Sequence, residues 1–170
     1  RDTRATVAKK PYQVLQIDLA NLQNFETDGF KYIMVGVDMF TRMLFLRALK
    51  DRTEGEIDKA FRSIHKEIKD ELKTLRADNE FVSASFKKYA KDNNIKIVYG
   101  TPSNPTSQGL AERFVGLTKR VISNVTLTNE NFNWVKNLDD IAESFNSTVS
   151  KGTNYSPNQI EEFYNKKDLD

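Results

Sequence analysis

FKYIMVGVDMFTRMLFLRAL, Phe30 to Leu49, holds two apolar runs with almost nothing between them. The first, 30–40, is rich in β-branched and aromatic residues and the second, 42–49, in long aliphatic ones, and both suit a half-buried pleated surface. So short a gap leaves room only for a tight antiparallel return. A third run lies upstream, YQVLQIDL at 12–19, and a polar loop containing Asp28-Gly29 separates it from the first. Three strands in an antiparallel meander follow.

Beyond Leu49 the period changes. Ile57, Phe61, Ile64 and Ile68 recur at spacings of three and four, predicting a helix from Glu54 to about Glu71. Thr53 and Glu56 stand at a capping-box spacing before it. LKTLRAD (72–78) reads as a short strand, 82–92 as a helix, and IKIVYG (95–100) as a buried strand. Helices are then predicted over 106–126 and 132–148, and a short one after Ser156-Pro157. Strands first, then alternating helices and strands, predict a mixed sheet with helices packed on its faces. Residues 1–11, polar and basic, read as an arm or linker, 12–165 as one domain, and 166–170 as a tail.

A chain of 170 residues with 38% apolar and 29% charged residues can bury one core and is not of disordered composition. It has no cysteine and one histidine, His65, so a Cys-ligated or His-rich metal site is excluded. No run approaches the length of a membrane span, and no partner on a membrane is expected. A net charge of +2 says little about nucleic acid. The Lys87, Lys88, Lys91 cluster reads as a solvated helix face.

Three carboxylates stand in unusual company. Asp18 interrupts the apolar strand QIDLA, and Asp78 ends LKTLRAD. An acid inside a strand is costly unless it is paired or metal-bound, although a turn or Asx role would also satisfy either one. Glu112 follows the polar run SNPTSQGLA, 103–111, at the start of a helix. At about 100° per residue, Leu110, Phe114, Leu117, Val121 and Val125 form a stripe centred about 180° from Glu112. Gln108, Gly116, Lys119 and Ser123 share its side. Glu112 therefore heads a polar face. His65 has no partner of a metal-site kind, Trp134 reads as packing, and Asp38 as a turn acceptor after the second strand.

Taken together, Asp18 on a strand, Asp78-Asn79, and Asn104-Pro105-x-Ser107-Gln108-Gly109-x-x-Glu112 resemble the catalytic core of retroviral and retrotransposon integrases, of the DDE superfamily. VDMFTR (37–42) is similar to that family's second strand. The likeness spans roughly 12–125, and integrases of Maverick/Polinton-type transposons share it. One departure stands out. The family commonly spaces its last two acids by 35 residues, and here 79–111 provide 33. Where the family reads Asp-Asn/Arg-Gly-x-Glu/Asn-Phe, this chain reads Asp78-Asn79-Glu80-Phe81, which accounts for both missing residues.

The resemblance implies an α/β, RNase H-like fold: a five-stranded mixed sheet with helices on both faces. It implies Asp18, Asp78 and Glu112 as catalytic ligands of two Mg²⁺ or Mn²⁺ ions, with Asp18 bridging. It further implies 3′-end processing of element DNA and its joining to target DNA. Asn104, Ser107, Gln108 and Lys119 become DNA contacts, a core dimer is expected, and the place of work is the nucleus. An upstream zinc module and a downstream targeting module would complete such a protein. The alternatives are a DDE transposase, an RNase H-like nuclease, and a domesticated integrase that only binds DNA.

Overall fold

The computed structural model describes residues 7–68, 71–81, 83–100 and 109–167. β1 (Val14–Asn21), β2 (Tyr32–Asp38) and β3 (Leu44–Leu49) form the expected meander. β4 (Thr74–Ala77) adds to the other side of β1 in parallel, and β5 (Lys96–Tyr99) adds to β4, giving the order β3-β2-β1-β4-β5. The mixed sheet is therefore as the sequence predicts.

Local chemistry sets the two turns of the meander. Asp28 (φ 53°) and Gly29 (φ 84°) both take positive φ between the bridged residues Thr27 and Phe30, the backbone that a two-residue hairpin turn requires. At the β2–β3 corner, the fully buried Asp38 carboxylate accepts from the Thr41 amide and hydroxyl at 2.9 and 2.6 Å, and from the Tyr12 amide at 2.9 Å. Asp38 is the turn acceptor read from sequence, and it also secures the entry to β1.

Period-two alternation gives the sheet two apolar faces. Leu15, Ile17, Met34 and Phe45 pack under α1 (Glu54–Ile68) and α2 (Ala84–Asp92) through Phe61, Ile64 and Phe86. Gly36 lets α1 settle closely, since a Cβ there would lie 3.3 Å from Ile64 Cδ1. Ala20, Ile33, Val35 and Leu46 face the other way, toward α3 (Gly109–Thr128) and α4 (Leu138–Asn146). α5 (Pro157–Lys167) follows.

Three local expectations change. The capping box before α1 is half formed. Thr53 Oγ1 accepts from the Glu56 amide at 3.4 Å, but Glu56 reaches back to the Lys50 amide, and Asp51 takes the Thr53 amide. The helix expected over 132–148 contracts to α4. Asn133 holds the preceding turn by accepting from the Lys136 amide, and the 1%-exposed Trp134 turns inward to donate to the Phe25 carbonyl at 2.7 Å. Trp134 is a packing residue all the same, and Asn146 pins α4 to β3 by bonding both backbone groups of Leu44.

The third change concerns α3. Its buried residues are Ala111, Thr118 and Ile122, whereas Leu110, Phe114 and Val121 are only partly covered. The contact line lies about 80° round from the centre of the apolar stripe. Small side chains at 111 and 118 let the helix approach the sheet, while the larger ones flank it toward α4, where Phe114 meets Phe145 edge-on. The rotation carries Glu112 from the far side of the helix to its flank beside the sheet.

Candidate metal centre

Strand register explains how Asp18 meets Asp78. β1 and β4 run parallel with Val14 opposite Thr74, Leu15 opposite Leu75 and Gln16 opposite Arg76. Carried two residues further, the same register sets Asp18 beside Asp78. β4 stops at Ala77 while β1 continues to Asn21, so Asp18 occupies a stretch of β1 that β4 no longer covers. By alternation Asp18 faces α3, with Gln16 and Ala20.

Asp18, Asp78 and Glu80 can each present a carboxylate oxygen within 4.8 Å of the others. Burial pushes the Asp18 carboxyl from 3.8 up to about 6. A hydrogen bond from the Leu19 amide opposes that rise, and the charges of Asp78, Glu80 and Glu112 add to it. Arg52, from the loop after β3, pairs with Glu80 at 2.6 Å and lies over the Tyr32 ring. The donor set is all oxygen. Hard divalent cations such as Mg²⁺ or Mn²⁺ suit it, and bonds of about 2.0–2.1 Å would draw oxygens at this separation together with modest side-chain movement.

Glu112 is exposed in the first turn of α3, close enough for its charge to act on Asp18 but outside the 4.8 Å group. Its helix is tied down at the adjacent residue. The Ala111 amide, one of the unpaired donors of a helix N-terminus, donates at 2.7 Å to Oε1 of Gln16, which is 1% exposed. Lys119 is exposed two turns further along. Asn104, Ser107 and Gln108 lie outside the described residues.

Gln16, Glu80 and Arg52 escaped the sequence reading. Gln16 carried a signal, a polar residue two before Asp18 on the same face of an apolar strand. Glu80 carried a weaker one, as the acid left in the shortened segment. Arg52 carried none, because its pairing depends on tertiary placement. His65, which the sequence suggested as a surface or partly packed histidine, is buried, stacks on Phe61 and meets Tyr89 Oη through Nδ1. A separate concavity of about 650 Å³ lies against β3, lined among others by Phe45, Arg47, Glu67 and Asn146. Asp18, Asp78, Glu80 and Glu112 do not line it. Chemistry rather than volume selects the site.

A five-stranded mixed sheet with acids at adjacent strand positions and helices on both faces defines an RNase H-like core. The chain belongs to the integrase core domain family, whose model matches residues 8–105. That stretch contains Asp18, Asp78 and Glu80 and ends before Glu112. Among relatives, the Pro-Pol polyprotein of Feline foamy virus is 27% identical over 136 residues, covering 79% of this chain and 12% of the polyprotein. A transposon-derived protein of Caenorhabditis elegans is 23% identical over 80% of this chain and 48% of its own length. The Tf2-3 transposon polyprotein of Schizosaccharomyces pombe is 24% identical over 90% of this chain and 12% of its own. The chain thus spans half or less of each.

Solved structures agree on the fold. The HTLV-2 integrase catalytic core domain in complex with magnesium superposes with a TM-score of 0.74 at 20% identity, covering 91% of this chain and 99% of that one. The simian T-cell lymphotropic virus intasome gives 0.80 at 20% identity, covering 93% and 57%. Among the described residues no helix is long and apolar enough to cross a membrane.

Proposed function

We propose that this chain is the catalytic core of a DNA integrase that trims the 3′ ends of element DNA and joins them to target DNA. The observation that carries it is the placing of Asp18 and Asp78 side by side by strand register, with Glu112 on the facing flank of α3. Two Mg²⁺ or Mn²⁺ ions, when bound, would activate an attacking oxygen and stabilise the leaving oxygen of a phosphodiester. Asp18 would hold both ions, and Asp78 and Glu112 one each. The magnesium named for the HTLV-2 core supports this choice of ion.

The residues of the chain do the positioning. Gln16 fixes the first turn of α3 and so the place of Glu112. Lys119 would contact a phosphate, setting the DNA's register without reading its sequence. Asn104, Ser107 and Gln108 would contact the DNA end. Water attacking the phosphodiester trims the end, and the 3′-hydroxyl so released attacks the target strand, expelling another 3′-hydroxyl. Neither step needs a covalent intermediate on the protein. Such a protein would work in the nucleus as a homo-oligomer, the HTLV-2 core being known as dimer and trimer.

Labelled duplexes carrying the ends of the chain's own element test the reading. Trimmed strands and joined products are expected. A hydrolytic nuclease is the second reading, favoured by the extra carboxylate of Glu80, and it would yield cut strands that are never joined.

A further inference from the structure

The turn after Asp78 holds only two residues between fixed points. The Phe81 amide donates to the Asp78 carbonyl at 3.1 Å, and Phe81 is 1% exposed in the core beside Phe86. Tyr99 from β5 donates to the Phe81 carbonyl at 2.8 Å, and the Gly100 amide donates to Ala77 on the other side. Asn79 and Glu80 must fit between these anchors. A longer turn could swing the acid into solvent; this one keeps it beside Asp18 and Asp78.

Like charges at this range repel, more at the half-buried Asp18 and Asp78 than at the exposed Glu80, and a cation held among them relieves that repulsion. Arg52 supplies one positive charge, through one carboxylate oxygen. The three carboxylates still offer an all-oxygen donor set of the kind that a hard divalent cation takes. An exposed Arg–Glu pair alone contributes little and would form as readily with Glu80 turned outward.

We propose that Glu80 is a ligand of the same metal centre, brought there by the short 78–81 turn and paired with Arg52 when no cation is bound. The inference rests on the functional reading above, since it presumes that a divalent cation binds at Asp18 and Asp78. Glu80 then adds a fourth carboxylate to the three that the integrase resemblance implies. Arg52 holds it when the cation is absent and competes with the cation for it.

Mn²⁺ binding, followed by loss of the free-ion paramagnetic signal, separates the possibilities without any DNA. Asp18→Asn should abolish binding. Glu80→Gln should weaken it about tenfold, the lower end of what support around a metal usually contributes. Arg52→Gln should tighten it, by removing the competing cation. Circular dichroism verifies that each variant is folded, and Glu80→Asp, which keeps the charge, should recover part of the affinity. If Asp18→Asn loses Mn²⁺ while Glu80→Gln binds it like the unsubstituted chain, Glu80 is no ligand and the functional reading stands. If Glu80→Gln and Arg52→Gln weaken binding equally, the pair only braces the turn, and the inference again fails. An unsubstituted chain that binds no Mn²⁺ overturns both.

Discussion

Asp18→Asn should stabilise the metal-free chain at neutral pH while making it deaf to metal. The carboxyl titrates near 6 in the folded chain against 3.8 as the ordinary value. About two pKa units correspond to about 3 kcal/mol of cost for holding the charge in the folded state. Asp18 is half-buried, and solvent screening reduces this to about 1.5–2.5 kcal/mol. For a chain of this size that is a melting-temperature rise of roughly 3–10 °C. The folded value lies above the unfolded one, so between about pH 4 and 6 the folded chain holds the extra proton. Metal-free stability therefore falls as pH rises through that window and stays low above it. The advantage of Asp18→Asn should be full at pH 7.5 and shrink toward pH 4. Thermal unfolding in chelator at several pH values measures it. Adding Mn²⁺ should raise the melting temperature of the unsubstituted chain and leave the variant unmoved. A variant that is less stable in chelator at pH 7.5, or that responds to Mn²⁺ equally, refutes the reasoning.

Two further substitutions probe the frame. Asp38→Ala strands the Tyr12 and Thr41 donors in a fully buried corner and should cost about 2–4 kcal/mol in urea unfolding. Gln16→Leu keeps bulk but removes the acceptor for the Ala111 amide. Joining activity should fall at least tenfold, with Mn²⁺ affinity changed less, because the first turn of α3 loses its tie to β1 while Asp18 and Asp78 stay in place.

The sheet was legible in the sequence because its strands carry β-favouring apolar runs with tight gaps between them. The meander at 12–49 and the acids at 18 and 78 needed only local pattern. Contributions that depend on how elements are set against each other were not legible. The stripe on α3 suggested one buried face, yet helix and sheet meet through Ala111 and Thr118, since small side chains permit the closest approach. Trp134 was readable as core, but its inward turn, which shortens α4, comes from a hydrogen bond to Phe25 more than 100 residues away in sequence. Glu80 looked like a residue beside a missing pair. Only the anchoring of Phe81 shows that the shortened turn keeps it among the acids.

Glu112→Gln bears most directly on the central claim, because Glu112 lies beyond the family match and touches the centre only through its charge on Asp18. With labelled element-end duplexes and Mn²⁺, the unsubstituted chain should give trimmed and joined strands. The variant, folded and no less stable than the unsubstituted chain in chelator, should give neither above background. Joining at the unsubstituted rate by Glu112→Gln would contradict the assignment of Asp18, Asp78 and Glu112 as one catalytic centre.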